Sequence, residues 1–149
     1  MTWTMSVIPP EGVDLFWPEV KDLLGPAVAL SGGRLDMVSL LDGMHSAKYV
    51  LWVVYDDKQI IRAAFTSRIA VYPRRKVLAV ECAGGTGMRH WVELVQQTFR
   101  NFSNDLGLSG VEMYGRPGWL RVLSRYGWKH SMMVMEVDQR VDAAAGGQN

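Results

Sequence analysis

Residues 76–91 read Lys76-Val-Leu-Ala-Val-Glu-Cys-Ala-Gly-Gly-Thr-Gly-Met-Arg-His-Trp91, an apolar run followed by three glycines. The run from Val77 to Val80 is nearly continuous, which is typical of a strand that is covered on both faces of a sheet. Gly84, Gly85 and Gly87 lack the Cβ atoms that would obstruct a sharp bend. The stretch therefore predicts a strand that turns abruptly into the next element.

The residues after the glycines carry mostly apolar side chains at helical spacing, namely Met88, Trp91, Val92, Leu94, Val95, Thr98, Phe99 and Phe102. This spacing predicts a long amphipathic helix over residues 88–105, with the glycines at its N-terminus. The free N–H groups of a first helical turn and the positive end of the helix dipole converge on one spot, which suits a phosphate group. A simpler interpretation is that the glycines only allow a tight strand-to-helix connection, because a lone Gly-x-Gly is a weak signal.

The composition limits the classes of function. The chain has 149 residues, of which 48% are hydrophobic, and this suits a single domain. Sixteen basic and fifteen acidic residues give a net charge of +1, which disfavours nucleic-acid binding. One cysteine excludes an internal disulfide, and the three histidines show no metal-ligand spacing. We therefore expect no metal. Because no apolar run reaches the roughly 20 residues of a membrane span, we also expect a soluble, cytoplasmic protein without a membrane partner.

The remaining segments predict alternating strands and helices. The order is a strand at 3–8, a helix at 14–30 interrupted at Gly25-Pro26, a helix at 35–43, strands at 48–55, at 59–72 and from 76, the helix at 88–105, a strand at 111–115, a helix at 117–126 and a last strand at 128–137. The three middle strands form an antiparallel meander, whereas a helical crossover makes the strand at 111–115 parallel to the fourth. We therefore expect one α/β domain over residues 1–138, with a mixed sheet of six to seven strands, and a flexible tail over residues 139–149.

This order of elements resembles the GCN5-related N-acetyltransferase (GNAT) fold over residues 3–138. Cys82-Ala-Gly-Gly-Thr-Gly87 resembles the family's pyrophosphate loop, Gln/Arg-x-x-Gly-x-Gly/Ala, and Leu123-Ser-Arg-Tyr-Gly-Trp128 resembles the family's ending, Leu-Tyr-x-x-x-Gly-Phe. Together with Gly115-Arg-Pro-Gly-Trp119, these motifs also resemble small GNAT-like proteins encoded by tailed phages and prophages.

The resemblance implies that acetyl-CoA or another acyl-CoA lies between the fourth and fifth strands, with its pyrophosphate on the backbone amides of residues 85–89. The residues that it assigns to this cofactor are Val80, Cys82, Gly84, Gly85, Thr86, Gly87, Met88, Arg89 and Arg116. Glu81 is the implied general base for the amine acceptor, with Glu112 across the gap between the strands. The competing interpretation is that both carboxylates are merely strand ends in partial contact with solvent.

Two residues depart from the family pattern at positions that carry chemistry. Cys82 stands where the family has Gln or Arg, and Leu123 stands where it has the tyrosine that often protonates the leaving thiolate. Tyr114 and Tyr126 are the candidate replacements for that hydroxyl. Cys82 itself is expected to be a packed thiol, because no base is placed beside it. The turn Arg74-Arg-Lys76 is either a phosphate contact or a solvated hairpin turn.

Two hypotheses follow. The first is an acyl-CoA-dependent N-acyltransferase that acts on an amine, fully active or impaired by the missing acid. The second is a non-catalytic GNAT-fold phage protein that assembles with other phage structural proteins, in the host cytoplasm or in the virion. The retained glycines favour the first hypothesis, and Leu123 favours the second.

Overall fold

The computed structural model describes residues 1–139. In them the strands are β1 (Thr4–Ile8), β2 (Val50–Tyr55), β3 (Ile61–Tyr72), β4 (Arg75–Gly85) and β5 (Gly110–Met113), and the α-helices are α1 (Val13–Ala29), α2 (Met37–His45), α3 (Met88–Asp105) and α4 (Pro117–Leu123). Short 3-10 helices cover Pro10–Gly12 and Ser124–Tyr126. The predicted tail, apart from Gln139, lies outside the described residues.

The five strands form one sheet in the order β1-β2-β3-β4-β5. Strands β1 to β4 run antiparallel to one another in succession, and β5 lies parallel to β4, with Leu78 opposite Val111 and Val80 opposite Met113. The chain reaches β5 through α3, as a parallel neighbour requires a crossover connection. The predictions of a mixed α/β domain and of a parallel pair of fourth and fifth strands are therefore confirmed.

Helices cover both faces of the sheet. On one face α3 buries residues three or four positions apart, including Trp91, Val95 and Phe99, against the aromatic side chains of β2 and β3. The Phe65 ring meets the Trp91 ring edge-on, with the ring centroids 5.8 Å apart. On the other face α1 and α2 pack Val20, Leu24, Leu40 and Met44, among others, against inward-facing residues of the central strands.

The predicted interruption of the first helix at Gly25-Pro26 is wrong, because α1 runs without a break from Val13 to Ala29 through Pro18 and Pro26. A proline inside a helix removes one hydrogen bond, but the buried stripe of α1 holds the helix on the sheet in spite of that loss. The second helix is shifted by two residues from its prediction. Asp36 caps it, and its carboxylate accepts a 2.9 Å hydrogen bond from the amide of Ser39.

The predicted last strand over residues 128–137 is wrong, and within residues 1–139 the sheet has five strands rather than six or seven. The segment is apolar enough for a strand, but its large side chains at Met132, Met133 and Met135 are exposed. Strand propensity reflects packing on a pleated, half-buried surface, and this segment has no such surface beneath it. Glu136 instead forms an exposed ion pair with Arg34, with 2.8 Å between the nitrogen and oxygen atoms.

The glycines of β4 allow two close approaches of the backbone. A Cβ atom on Gly84 would lie 1.9 Å from the carbonyl oxygen of Leu23 in α1, and one on Gly85 would lie 2.6 Å from the Cβ atom of Ala63 in β3. Both distances are shorter than atoms tolerate, so α1 and β3 can lie this close to β4 only because the residues are glycines.

Replacing Gly84 by alanine should therefore destabilise the fold by about 3 kcal/mol, since α1 must move away from β4 and the core between them loosens. Gly25→Ala is the matched control. Gly25 lies in α1, the helix that Gly84 contacts, and a Cβ atom on Gly25 meets nothing within 4 Å. The control should raise stability slightly, as alanine favours the helix. Urea denaturation of both variants measures the difference, and an unchanged midpoint for Gly84→Ala would contradict the packing described above.

Candidate active site

The parallel pairing of β4 and β5 ends early and leaves a gap. The last contact is the 3.1 Å hydrogen bond from the amide of Tyr114 to the carbonyl oxygen of Val80. Beyond it β5 stops at Met113, whereas β4 continues to Gly85. The edge of β4 after Val80 is thus open on the side from which β5 has diverged, and a ligand could bind alongside it.

A β-bulge in β4 stands at the mouth of this gap. Val80 pairs with Ser67 of β3 and Cys82 pairs with Thr66, so that Glu81 between them has no partner in the register. A bulge bends its strand and redirects the side chain of the extra residue. The bulge therefore puts Glu81 and Cys82 on the same face of the sheet, opposite to the face on which Val80 packs under α3.

Glu81 is held by a cation from the neighbouring strand. Its Oε1 atom lies 2.5 Å from Nε of Arg68, and only 11% of the Glu81 side chain is exposed. The hydrogen bond and the charge of Glu81 raise the pKa of Arg68. Tyr49, which precedes β2, lies close by, and its pKa is raised first by burial and then by the charge of Glu81.

The second carboxylate, Glu112 of β5, lies on the same face of the sheet. The hydroxyl of Tyr72 donates a hydrogen bond to Oε1 of Glu112, and the hydroxyl of Tyr114 donates another at 3.0 Å. The contact with Tyr72, then burial and the contact with Glu112 raise the pKa of Tyr114 well above its ordinary range. Each predicted carboxylate thus has its own donors, and the two are not paired with each other.

We call these residues the carboxylate cluster, and its members are Tyr49, Arg68, Tyr72, Glu81, Glu112 and Tyr114. The sequence analysis singled out Glu81, Glu112 and Tyr114 but missed the other three. Arg68 and Tyr72 lie four residues apart on β3 and therefore on one face of it, which was a usable signal. An arginine well inside a predicted strand was a second signal, because charged side chains are seldom buried without a partner.

The turn between β4 and α3 begins later than the sequence predicts. Gly84 and Gly85 lie within β4, where they pair with Ala64 and Ala63, and the amide of Thr86 donates to the carbonyl oxygen of Arg62 at 2.9 Å. The bend itself is made at Gly87, which has the left-handed backbone conformation (φ 70°) and caps α3.

The free amides of this turn belong to the start of α3. Among residues 1–139, no acceptor pairs with the backbone N–H of Gly87, Met88 or Arg89. A hydrogen bond from the core holds the turn in place, since the indole nitrogen of Trp91 donates to the carbonyl oxygen of Thr86 at 2.8 Å. Three neighbouring donors at a rigid helix N-terminus fit an anionic group such as a phosphate.

A cavity of about 140 Å³ lies beside this turn. It is lined by Asp22, Leu23, Pro26, Ala27, Ala83, Gly84, Gly85, Thr86 and Arg116. Arg116 directly precedes α4 and is exposed, so it brings a positive charge to the cavity from the β5 side of the gap. The structure thus places Arg116 next to residues 84–86, which the sequence alone did not show.

Val80 and Cys82 have buried side chains and face α3 and α1, respectively. The thiol of Cys82 points toward the carbonyl oxygen of Leu24, 3.9 Å away, and burial raises its pKa to about 11. A thiol with this pKa is protonated at neutral pH, in agreement with a packing role. Only the backbones of these two residues can face a ligand in the gap.

Leu123 and Tyr126 lie away from the carboxylate cluster. Leu123 is buried in the cluster of apolar residues that packs under α3, and the Tyr126 ring packs against the same cluster on that face of the sheet. Tyr114 is therefore the one predicted replacement hydroxyl that the structure brings to the carboxylates. The turn at Arg74 joins β3 to β4 at the opposite end of β4 from Gly85, so it lies far from the free amides.

Neither a membrane span nor a metal site is found in the described part of the chain. Within residues 1–139 no helix is long and apolar enough to cross a membrane. No group of three or more His, Cys, Asp or Glu side chains within residues 1–139 is arranged to hold a metal ion.

Solved structures of other proteins share this arrangement of strands and helices. A tetramutant of the BH1408 protein from Bacillus halodurans matches with a TM-score of 0.69 at 12% identity, over 91% of this chain and 99% of that one. Glucosamine-6-phosphate N-acetyltransferase from Arabidopsis thaliana matches with a TM-score of 0.64 at 14% identity, over 93% and 99%. A predicted acetyltransferase with acetyl-CoA from Clostridium acetobutylicum matches with a TM-score of 0.66 at 9% identity, over 92% and 96%.

No protein-family model and no curated protein sequence matches the chain. The likeness therefore rests on structure, at identities that show a common fold and leave the activity open. The chain has the GNAT fold.

Proposed function

We propose that the protein is an acyl-CoA-dependent N-acyltransferase. The observation that carries the proposal is the meeting of two features at one end of the sheet: a carboxylate on a bulge, Glu81, and free amides at residues 87–89. Both features lie along the part of β4 from which β5 has diverged, that is, beyond Val80. A fold shared with acetyltransferases supports the same assignment.

The residues around the turn fit the phosphates of an acyl-CoA. The amides of Gly87, Met88 and Arg89 have no acceptor within residues 1–139, and they lie where the dipole of α3 favours negative charge. Arg89 and Arg116 add two exposed cations, Arg89 in the first turn of α3 and Arg116 at the cavity. Thr86 lines the same cavity as Arg116. These groups would hold the pyrophosphate end of the cofactor.

Two members of the carboxylate cluster, Glu81 and Tyr114, supply the proton chemistry. Bound acyl-CoA would supply an activated acyl group, whose C–S bond breaks as the acceptor nitrogen forms its bond to the acyl carbon. Glu81 is the base that takes the proton from the acceptor nitrogen, and Arg68 holds its carboxylate in place. Tyr114 is the donor that gives a proton to the departing sulfur, because it is the predicted hydroxyl that lies where β5 leaves β4.

The alternative is a non-catalytic protein, such as a structural component of a phage. The burial of Leu123 in the core favours it, since the family's hydroxyl cannot be supplied from that position. Steady-state release of free thiol from acetyl-CoA, measured with a panel of amines in the presence and absence of the protein, separates the two proposals. Amine-dependent release supports the enzyme, whereas tight binding of acetyl-CoA without release for any amine supports the alternative.

A further inference from the structure

Glu112 carries a negative charge that the described residues do not neutralise. Its donors are the phenol groups of Tyr72 and Tyr114, and within residues 1–139 no Lys, Arg or His side chain forms an ion pair with it. Glu81 differs, because its charge is matched by Arg68 at 2.5 Å. The two carboxylates of the cluster are therefore electrostatically unlike, and Glu112 is the one that can still bind a cation.

The surroundings of Glu112 favour an organic cation. Tyr72 and Tyr114 are 37% and 50% exposed, so that solutes can reach the carboxylate between them. Their hydroxyls lie 3.3 Å apart and hold Glu112 in one position. An ammonium group on a carbon chain can pair with the carboxylate while its methylene groups lie against the two rings.

The register places Glu112 at a short distance from the proposed base. Glu112 lies opposite Ala79 in the parallel pair, and Glu81 is two residues further along β4. At a rise of about 3.3 Å per residue and a strand spacing of about 4.8 Å, the Cα atoms of the two glutamates are about 8 Å apart. Both side chains lie on the face that carries Arg68 and Tyr72 of β3. A short carbon chain with a nitrogen at each end spans such a separation.

We propose that the acceptor is a diamine, in which Glu112 binds the amino group that remains cationic while the other amino group is placed at Glu81. The proposal rests on the proposed function for the reacting amino group. It assigns Glu112 to specificity rather than to the chemical step. Tyr72 acts as a positioning residue for Glu112.

Acyl transfer to putrescine and to butylamine tests the proposal, because the two amines differ by one amino group. The wild-type protein should have a kcat/KM for putrescine at least about tenfold higher than for butylamine, which is the worth of one hydrogen-bonded charge. Glu112→Gln should remove this preference by raising the KM for putrescine, so that the two amines are used equally well. Glu93→Gln, an exposed carboxylate on α3, is the control and should retain the preference.

A binding measurement keeps this test separate from the proposed function. Putrescine added to the protein without acyl-CoA should shift the amide resonances of Met113 and Tyr114, and Glu112→Gln should abolish the shifts. If these shifts appear but acetyl-CoA neither binds nor reacts, the acyltransferase proposal fails while the cation site stands. Equal activity with both amines in the wild-type protein, or putrescine-induced shifts that persist in Glu112→Gln, would overturn the cation site.

Discussion

Replacing Glu81 by glutamine should lower kcat for acyl transfer by about 100-fold or more, at an unchanged affinity for acetyl-CoA. The amide retains the shape of the side chain but cannot accept the proton of the acceptor amine. The free amides at residues 87–89 are on the turn beyond β4 and do not touch Glu81, so binding of the phosphates is unaffected. The loss should therefore appear in kcat alone.

The pH dependence distinguishes loss of a base from loss of structure. Activity of Glu81→Gln should recover as the pH rises, because a growing share of the acceptor is then deprotonated without help from the protein. Thiol release measured across the pH range gives this profile, with Glu19→Gln, an exposed carboxylate on α1, as the control. A Glu81→Gln protein with the wild-type kcat would remove Glu81 from the mechanism.

Reversing the charge of Arg89 should weaken the binding of acetyl-CoA by on the order of 100-fold. Arg89 is exposed in the first turn of α3, next to the free amides, so Arg89→Glu removes a cation and puts an anion where the pyrophosphate is proposed to lie. Arg74→Glu makes the same change in charge at the opposite end of β4 and should bind acetyl-CoA as the wild type does. Equal affinities of the two variants would show that the phosphates bind elsewhere.

The long elements of the fold were predictable from the sequence because their patterns repeat. The helix predicted over residues 88–105 coincides with α3, since its apolar stripe persists through every turn. The parallel strand after it follows from the crossover alone. The strand predicted over residues 128–137 failed because an apolar segment forms a strand only where a sheet edge and a covering layer receive it.

The site was harder to predict because it depends on contacts between strands. The bulge at Glu81 arises from a shift in register between Thr66 and Ser67 of β3, and a single strand does not encode that shift. The pairing of Glu81 with Arg68 follows from the same register. The glycines were conspicuous in the sequence, but the atoms that occupy the space of their missing side chains were not.

The close contacts at these glycines limit the variants that can test the phosphate site. The sequence suggests Gly85→Asp as a variant that blocks a phosphate and leaves the fold intact. A Cβ atom on Gly85 would overlap Ala63, with 2.6 Å between the two Cβ atoms, so the variant would disturb the sheet as well as the site. Leu123→Tyr, which would restore the hydroxyl that the family has at this position, is unsuitable for a related reason, since Leu123 is buried in the core and a larger side chain would disturb its packing. Exposed positions such as Arg89 separate binding from folding.

Titration of the wild-type protein with acetyl-CoA tests the central claim most directly, by calorimetry and by the amide resonances of Gly87, Met88 and Arg89. The account predicts saturable heat and shifts at these three amides, because they are free donors at the N-terminus of α3. Absence of heat at near-millimolar acetyl-CoA, or binding that leaves the three amides unshifted, would contradict it.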